Sequence, residues 1–283
     1  MGKTFVICEG GSCHDGDLQK AIRLVHAAAD CGGDAIKFQW VSSPERLAER
    51  RNAGEYVKHY KLISFPRGWF DVLRAEADRC GVEFMTTTYL IEDIPIVAPY
   101  VSRFKVASFE ADDETFVRAH QGYDKQVIVS YSGGTRQQFA FGNQYKSLLC
   151  VSAYPCPIDA LNLIRLRQQY RSIGDVMVGQ TGFPFDGLSD HTTSTLTGAL
   201  AVAAGATIIE KHFRLHDTDP ANADYAHSLV AVSHRANCQN NDKDEADFED
   251  YVSNIRLAEQ AMGDGRAGPM PCEEAMMKFK VKA

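Results

Sequence analysis

The stretch 187–214 reads GLSDHTTSTLTGALAVAAGATIIEKHFR, and its pattern is the strongest indication of the architecture. It begins with the polar cluster Ser189-Asp190-His191, continues through a small, alanine-rich segment at 192–204 and ends in an apolar run at 206–210. This periodicity predicts a loop, a helix and a buried strand, in that order. His191 therefore closes one strand–helix unit, and His212 closes the next.

The positions of these two histidines indicate a metal site. In a parallel α/β architecture the ends of neighbouring strands lie side by side, so the two imidazoles are expected to converge on one face. Two imidazoles with a carboxylate or water oxygen form a donor set typical of a divalent metal. The alternative is that each histidine is a solvated loop residue or a buried structural group. The matching positions of His191 and His212 favour the metal interpretation.

The alternation of strand and helix continues through the 283-residue chain. Helix starts are marked by capping residues such as Asp17, and the helices carry apolar residues on one face. Predicted strands lie at 4–8, 34–40, 82–86, 102–107, 126–130, 147–152 and 206–210, with one further strand at either 175–178 or 186–188. Predicted helices lie at 18–30, 69–79, 91–97, 158–170, 192–204 and 248–262, with another opened by the acidic residues 112–114.

Eight alternations in roughly 260 residues predict the α/β class and a single-domain (β/α)8 TIM barrel. We place the barrel at residues 1–265 and an extended tail at 266–283. A polar connection at 41–67 is expected to pass over the barrel mouth, and the weakly patterned segment 133–145 is expected to be a reduced helix. An open doubly wound sheet is the alternative, but the first loop, EGGSCH at 9–14, lacks the glycine spacing of a dinucleotide site.

The composition limits the classes of partner. The net charge is −7, and no basic stripe is interleaved with aromatic residues, which argues against nucleic acid. The sequence has no apolar run of transmembrane length and no signal-peptide pattern, so we expect no membrane segment and a cytoplasmic location. The eight cysteines are scattered without a Cys-x-x-Cys pair, which predicts reduced thiols rather than a zinc ribbon.

Two lysines are the most informative polar residues. Lys37 and Lys105 each lie inside an apolar strand, where an unpaired ammonium group would be costly. A lysine that points into a barrel needs an anion, and two such lysines among hydroxyl donors predict a site for phosphate and carboxylate groups. Two alternatives stay open, namely internal salt bridges to Glu9, Glu110 or Glu210, and a Schiff-base lysine.

Other polar side chains also end the predicted strands, where barrel enzymes keep their chemistry because eight loops meet over a rigid core. Singly, each has a structural interpretation, since a serine can be an ordinary polar position of a barrel. Asp224 lies in a polar loop and can be solvated. The polar set at the strand ends is Glu9, Gln39, Thr87, Ser108, Glu110, Ser130, Ser152, Tyr154 and Ser189.

Several motifs together carry a resemblance to a known family. Through these motifs the chain resembles the sialic acid synthases, which make N-acetylneuraminate, legionaminate or pseudaminate by condensing phosphoenolpyruvate with an N-acetylated hexosamine. The resemblance spans nearly the whole sequence, and GLSDHT followed by GATIIEKHF is its most specific pair. The motifs are ICEGGSCHDG (7–16), DAIKFQ (34–39), EFMTTTY (83–89), FKVASFE (104–110), VIVS (127–130), LLCVSAYPCP (148–157), GLSDHT (187–192), GATIIEKHF (205–213) and FEDYVSNIRLAEQAMGDG (248–265).

The resemblance implies a role for each matching residue. His191 and His212 resemble the two ligands of a divalent metal, Mn²⁺ or Mg²⁺. The chemistry itself is expected from Glu9, Glu110, Lys37 and Lys105. Residues that resemble those around phosphoenolpyruvate are Lys37, Thr87, Lys105, Ser108, Ser130, Ser152, Tyr154 and Ser189, and those that resemble the groups around the sugar and the reacting water are Glu9, Gln39, Glu110 and Asp224.

The sequence departs from the family at three places, of which 130–133 and 222–225 are expected on the acceptor side. Ser152 stands where the family usually has Asn, 130–133 (SYSG) replaces Ser-Thr-Gly-Met, and 222–225 (NADY) replaces Gly-Pro-Asp-His. The sequence also ends where the family usually continues into a small antifreeze-like domain that closes over the site of the partner subunit. We therefore expect a different acceptor, a separate antifreeze-like domain protein or lost activity. A homodimer is expected from the family alone.

Three functions follow from these patterns. The first is a nonulosonic acid synthase that joins phosphoenolpyruvate to an aldehyde aminosugar such as an N-acetylmannosamine-like compound. The second is a synthase of the octulosonate or heptulosonate type, which takes a sugar phosphate and would need loop arginines such as Arg67, Arg136 or Arg214. The third is a barrel that binds a ligand, or depends on a partner, without turnover of its own.

Overall fold

The computed structural model describes residues 2–132, 144–167, 171–173, 176–178, 185–231, 247–265 and 270–280. The predicted reduced helix at 133–145 falls mainly on 133–143, outside the described residues. Its last residue, Tyr145, begins a strand. The strands are β1 Phe5–Gly11, β2 Ala35–Gln39, β3 Glu83–Thr88, β4 Arg103–Val106, β5 Gln126–Tyr131, β6 Tyr145–Cys150, β7 Arg171–Ile173, β8 Val176–Val178, β9 Gly187–Asp190, β10 Ile208–Arg214 and β11 Leu229–Val230.

Eight of these strands close into a parallel barrel. Their order is β1-β2-β3-β4-β5-β6-β9-β10, and β10 pairs back onto β1. The last pairing sets Ile7 beside Glu210 and Glu9 beside His212. The predicted TIM barrel is confirmed, and the doubly wound alternative is wrong because an open sheet would leave β1 and β10 unpaired.

The barrel interior changes from apolar to polar along each strand. Successive side chains of a strand alternate between its two faces, so residues two apart share the interior. A buried apolar cluster fills one end with Ile7, Ala35, Met85, Ile128, Leu148 and Ile208. Two positions further along, toward the carboxyl end, stand Glu9, Lys37, Thr87, Ser130, Cys150 and Glu210. This alternation brings the polar residues together at one rim.

Helices cover the outside of the barrel. The longest begin with a side-chain cap: the Asp17 carboxylate accepts the backbone N–H of Gln19 and Lys20, and Asp247 accepts that of Glu249. The main core lies between these helices and the outward faces of the strands. The helices are α1 Leu18–Asp30, α2 Pro44–Arg50, α3 Val57–Ile63, α4 Trp69–Cys80, α5 Ile94–Val97, α6 Glu114–Arg118, α7 Thr197–Ala203, α8 Phe248–Met262 and α9 Glu274–Met277.

The region between β6 and β9 differs from its prediction. The helix predicted at 158–170 is wrong: 3-10 turns occupy Ile158–Ala160 and Leu163–Arg167, and residues 168–170 lie outside the described part. Asn162 between the turns has φ +49°, a left-handed conformation that a continuous helix excludes. Of the two positions offered for the seventh barrel strand, the second is confirmed as β9. The other, β8, forms an antiparallel pair with β7 apart from the barrel sheet.

Two neighbouring boundaries also shift. The helix predicted at 192–204 begins only at Thr197, because the Asp190 carboxylate holds the preceding turn: it accepts the Thr192 N–H at 2.9 Å and the Thr197 hydroxyl. The strand predicted at 206–210 continues to Arg214, so His212 lies inside β10 rather than after it. Its side chain therefore has the fixed direction of a strand residue.

The connection at 41–67 forms a separate small layer. It folds into α2 and α3 around a buried cluster that includes Leu47, Tyr60 and Ile63. Residues of this layer line the cavity at the carboxyl ends of the strands, which agrees with the predicted path over the barrel mouth. In the tail, Pro271–Glu273 and α9 are helical where the sequence predicted an extended chain.

No helix within the described ranges is both long and apolar enough to cross a membrane.

Candidate active site

A cavity of about 1110 Å³ opens at the carboxyl ends of the barrel strands. Every residue proposed for the site from sequence lines it except Ser152. The Ser152 hydroxyl lies 2.9 Å from that of Ser108, which does line the cavity. The lining residues proposed from sequence are Glu9, Lys37, Gln39, Thr87, Lys105, Ser108, Glu110, Ser130, Tyr154, Ser189, His191, His212 and Asp224.

The two strand lysines lie close together through a shared partner. Lys37 in β2 donates to the Thr87 hydroxyl at 2.7 Å, and Lys105 in β4 donates to the Ser130 hydroxyl at 2.8 Å. The Glu210 carboxylate lies 3.3 Å from the Lys37 Nζ and 3.2 Å from the Lys105 Nζ. Two ammonium groups therefore share one carboxylate, and each also donates to a hydroxyl group; the same ammonium groups could receive an external anion.

Internal salt bridges were one of the alternatives for these lysines, and they are present. Lys37 forms an ion pair with Glu9 as well as with Glu210. Burial would lower the pKa of Lys37, but Glu9 and Glu210 outweigh it and raise the pKa, so the amine stays protonated. A protonated amine is not a nucleophile, which argues against a Schiff base at Lys37.

The two carboxylates of this cluster differ in their protonation. Burial raises the pKa of Glu9 to about 7 against the opposing effect of Lys37. Burial would also raise the pKa of Glu210, but Lys105 and Lys37 hold it well below its usual range. Near neutral pH, Glu210 is therefore ionised while Glu9 is partly protonated. The cluster keeps excess positive charge for an anionic ligand.

The predicted histidine pair meets in the same cavity. The ring centroids of His191 and His212 are 5.5 Å apart. The His191 Nδ1 lies 2.8 Å from the Val151 carbonyl oxygen, to which it donates, so the Nε2 of this ring keeps its lone pair. Burial lowers the pKa of His191 to about 4 and holds that of His212 well below its usual range. Both imidazoles are therefore neutral, as metal ligands must be.

A third imidazole, which the sequence analysis did not identify, lies beside this pair. His227 ends a 3-10 turn at Tyr225–His227, and its ring centroid is 4.5 Å from that of His212. The nitrogen and carboxylate oxygen atoms of His212, Asp224 and His227 all lie within 4.8 Å of one another. The spacing of Asp224 and His227, three residues apart, is the only sequence signal that pointed to this group, and it is weak in a polar loop.

Arg51 is the second site residue that the sequence analysis missed. It follows α2 and pairs with Glu110 at 2.6 Å. Its guanidinium carbon lies 5.4 Å from the ring centroid of Tyr60 and 5.1 Å from those of Tyr89 and Phe109. Nothing in the local pattern distinguishes Arg51 from other surface arginines, because its position depends on how the layer of α2 and α3 lies over the barrel.

Glu110 combines a paired and an unpaired oxygen. Its Oε1 accepts from Arg51, whereas its Oε2 is buried without a hydrogen-bond partner among the described residues. Burial raises the pKa of Glu110 although Arg51 opposes the shift. A carboxylate with a free oxygen and a raised pKa beside the cavity is suited to take up a proton from water.

Of the arginines expected for a sugar phosphate, the two that the structure describes, Arg67 and Arg214, do not line the cavity. Arg67 is exposed before α4, Arg136 lies outside the described residues, and Arg214 packs at 3.8 Å over the ring of Tyr225. Arg50 and Arg51 line the cavity instead. Both are paired, because Arg50 binds Asp113 at 2.7 Å and Arg51 binds Glu110.

Comparison with known proteins gives a consistent result. The sequence model of the NeuB family matches residues 24–267. The pseudaminic acid synthase of Campylobacter jejuni is 30% identical over 306 residues, which cover 99% of this chain and 80% of that protein. The N,N'-diacetyllegionaminic acid synthase of Legionella pneumophila is 27% identical, covering 94% of this chain and 75% of the relative.

A solved structure matches the whole fold. The crystal structure of the N-acetylneuraminic acid synthetase from Leptospira borgpetersenii superposes with a TM-score of 0.80 at 24% identity, covering 98% of this chain and 91% of that one. At this identity the likeness concerns the barrel and the course of the chain.

Proposed function

This chain belongs to the NeuB family, and from that premise we propose that it condenses phosphoenolpyruvate with an aldehyde aminosugar. The products are a nonulosonic acid and inorganic phosphate. The observation that carries the proposal is the convergence of Lys37 and Lys105, from separate strands, on the cavity that His191 and His212 also line. A ligand with a phosphate and a carboxylate beside a reactive carbon fits such a set of charges.

The lysine cluster would bind phosphoenolpyruvate. Lys37 and Lys105 would meet its anionic groups, with hydroxyl donors from Thr87, Ser130 and Ser189. Glu210 holds the two ammonium groups at fixed positions before the substrate arrives, so little reorganisation is needed on binding. Partial protonation of Glu9 limits repulsion of the incoming anion.

The bond changes balance as follows. The C3 carbon of phosphoenolpyruvate forms a bond to the aldehyde carbon of the acceptor, and positive character develops at C2. Water adds its hydroxyl at C2 as Glu110 or Glu9 accepts its proton, and this proton passes to the former aldehyde oxygen, which took the C=O electron pair when the C–C bond formed. The C–O bond to phosphate then breaks, and the C2 hydroxyl gives its proton to the phosphate and becomes a keto group. The departing phosphate carries its negative charge toward Lys37 and Lys105, which favours its release from carbon.

The imidazoles fit a divalent cation, for which we propose Mn²⁺ or Mg²⁺ with His191 and His212 among its ligands. Two observations support the fit. The rings are neutral, and the His212 Nδ1 is buried without a hydrogen-bond partner in the described part of the chain. When bound, the cation would supply a Lewis acid for the aldehyde oxygen. The protein would contribute the fixed direction of His212 in β10 and the tautomer that Val151 imposes on His191.

A neutral acceptor suits the cavity better than a phosphorylated one. Arg50 and Arg51, which line the cavity, are already neutralised by Asp113 and Glu110. Around them stand the rings of Tyr60, Tyr89 and Phe109 with the Arg51 guanidinium, a surface of aromatic faces and polar edges that suits a sugar ring. We therefore propose a neutral N-acetylated aminosugar, rather than a sugar phosphate, as the acceptor.

The test is a product assay with phosphoenolpyruvate, Mn²⁺ and a panel of acceptors that includes N-acetylmannosamine, more highly modified aminosugars and aldose phosphates. Phosphate release and the product mass are measured. We expect turnover with a neutral aminosugar, at least hundredfold loss in Lys37→Ala and His212→Ala, and normal turnover in Lys146→Ala. Lys146 is a matched control because it lies near the start of β6, away from the cavity.

Each contrary outcome has a defined meaning. A phosphorylated acceptor that outperforms the neutral ones would favour the octulosonate or heptulosonate type of synthase. Binding of phosphoenolpyruvate without phosphate release, in folded protein and with every acceptor, would favour a ligand-binding barrel. Either result would overturn the proposed reaction or its proposed acceptor.

A further inference from the structure

We propose that Asp224 and His227 join His191 and His212 as ligands of the divalent cation, adding one carboxylate and one imidazole to the predicted pair. This ligand set adds detail to the proposed function. Only the chemical role of the bound cation rests on that function. His227 has no counterpart among the residues that the family resemblance assigned to the metal. The site would give this chain a protein ligand set larger than the pair His191 and His212.

The distances favour a common ligand. The Asp224 Oδ1 lies 4.0 Å from the His212 Nδ1 and 3.5 Å from the His227 Nε2. The His212 and His227 rings meet edge to face, at an interplanar angle of 72°. These separations are too long for good hydrogen bonds, and they are the separations expected between ligand atoms that each lie about 2 Å from one ion.

The nitrogen atoms of this group are buried and unused. The exposed fraction of His227 is 2%, and that of both His212 and Asp224 is 7%. The His212 Nδ1 and both nitrogens of His227 have no hydrogen-bond partner among the described residues. Buried polar groups are rarely left unpaired, because removing them from water without a replacement partner costs free energy. A cation would supply the missing partner.

The carboxylate is held with one oxygen toward the imidazoles. Its Oδ2 accepts the backbone N–H of Ser12 at 2.8 Å and the Ser12 hydroxyl at 2.7 Å, which leaves Oδ1 for the ring nitrogens. Gly11 makes room for this contact, because a Cβ atom at that position would lie only 2.3 Å from the Asp224 Oδ2. The direction of the free oxygen is thus fixed before any ion binds.

The position of His191 is compatible with the same ion. The His191 ring centroid lies 5.5 Å from that of His212 and 6.2 Å from that of His227. Its Nδ1 donates to the Val151 carbonyl, which leaves the Nε2 lone pair for a metal. The His212 Nδ1, which has no hydrogen-bond partner among the described residues, lies 4.0 Å from the Asp224 Oδ1.

The donor set also selects among metals. Several imidazole nitrogens with a single carboxylate suit Mn²⁺, Fe²⁺, Co²⁺ or Zn²⁺, whereas Mg²⁺ prefers oxygen ligands and retains its waters. We therefore expect this protein to bind Mn²⁺ more tightly than Mg²⁺.

The experiment titrates Co²⁺ into metal-free protein without phosphoenolpyruvate or sugar, and records visible absorption and calorimetric affinity. We expect His227→Ala and His227→Phe to weaken Co²⁺ binding at least tenfold and to alter the absorption bands. His59→Ala, which removes another imidazole of the same cavity, should change the affinity less than twofold. Far-UV circular dichroism checks that each variant is folded, and the phenylalanine variant preserves the ring volume if the alanine variant does not fold.

Unchanged affinity and bands in the His227 variants, with loss of binding in His191→Ala, would assign the ion to His191 and His212 and overturn the proposal. Because the titration contains no substrate, its outcome is independent of turnover. A protein that binds Co²⁺ through His227 and yet releases no phosphate would contradict the proposed reaction while leaving the metal site supported.

Discussion

Among single residues, two positions along a strand separate an apolar core residue from a residue that lines the cavity. Ile7 belongs to the apolar filling of the barrel, and Glu9 reaches the cavity. Ile208 and Glu210 repeat the relation in β10. The side chains at the rim are therefore charged, buried and supported from below by packed apolar residues, and each charge needs a partner because water is largely excluded.

Glu210 shows how strongly these charges depend on one another. Glu210→Gln would leave Lys37 and Lys105 without their shared counter-ion, and loss of a buried partner typically costs about 3 kcal/mol or more. We expect a lower free energy of unfolding in urea, and a larger recovery on adding inorganic phosphate than in the wild type, because phosphate replaces the lost charge.

A matched variant is Glu83→Gln, whose carboxylate pairs with Arg103 at the opposite end of the barrel. Phosphate should not stabilise that variant more than it stabilises the wild type. Equal phosphate effects in Glu210→Gln and wild type would argue against an anion site between the two lysines.

Arg51 provides a second prediction at this scale. Arg51→Lys keeps the charge but loses the planar fork that binds Glu110 and packs against Tyr60, Tyr89 and Phe109. We expect the KM for the sugar to rise about tenfold while the KM for phosphoenolpyruvate changes less than twofold. Steady-state kinetics with each substrate varied in turn measures both. Arg46→Lys, on the exposed side of α2, is the control, and an equal rise in both KM values would contradict the assignment.

At the scale of elements, α7 and α8 support the loop that carries His191. Asp190 is fully buried beneath this loop, where the Tyr251 hydroxyl donates to it at 2.8 Å and the Lys211 ammonium lies 3.5 Å away. Burial would raise the pKa of Asp190, but Lys211 and the hydrogen bonds from Thr192, Thr197 and Tyr251 together lower it, so the carboxylate stays ionised. Helix α8 thereby fixes the residue that precedes His191.

At Gly198, helix α7 packs against helix α8. A Cβ atom there would lie 2.7 Å from the Tyr251 Cζ and 2.8 Å from the Ile255 Cδ1. Helix propensity favours alanine by about 1 kcal/mol, but overpacking typically costs 1–3 kcal/mol. We expect Gly198→Ala to lower the free energy of unfolding and, by displacing Tyr251 from Asp190, to weaken Co²⁺ binding or turnover as well.

Gly68→Ala is the control, because Gly68 has φ −61° and no heavy atom of the described residues lies within 4 Å of its added Cβ. That substitution should be neutral or stabilising. If Gly198→Ala were equally well tolerated in urea unfolding, α7 and α8 would have to be less tightly packed than this geometry indicates.

At the scale of the whole molecule, burial of neutral histidines makes stability depend on pH. Burial lowers the pKa values of His14, His120 and His191 to about 4. In the unfolded chain each would titrate near 6.5, so between pH 6.5 and 4 the unfolded state binds more protons than the folded state. The free energy of unfolding therefore falls as the pH drops through this window. Glu9 opposes the trend, because its pKa is raised to about 7.

A substitution at His120 measures the contribution of one buried histidine to this pH dependence. It lies between Phe104 and Phe116, where its Nδ1 donates to the Phe116 carbonyl and its Nε2 accepts from the Thr88 hydroxyl at 2.9 Å. His120→Gln should be less stable than the wild type at pH 7. The difference should shrink by up to about 1.4 kcal/mol per pH unit below pH 6.5, since only the wild type must expel that proton on folding. A difference that stays constant from pH 7 to pH 5 in urea titrations would contradict this account.

The barrel and most of its rim follow from local sequence pattern. Alternation with a period of two fixes which side chains of a strand share the interior, so Lys37, Lys105 and Glu210 could be placed together without coordinates. Helix α1 was likewise predicted with its bounds, because Asp17 caps it and its apolar residues recur at helical spacing. These features depend on local pattern, which a single sequence carries in full.

Only the tertiary structure decided the features that depend on how loops lie over the rim. His227 meets His212 because Ser12 holds Asp224, some 200 residues away along the chain, on the far side of the same loop cluster. Arg51 reaches Glu110 because α2 and α3 pack as a layer above the barrel. The break at Asn162 and the antiparallel pairing of β7 with β8 have no periodic signature. Such contacts join residues distant in sequence, and no local propensity encodes the path of a loop between them.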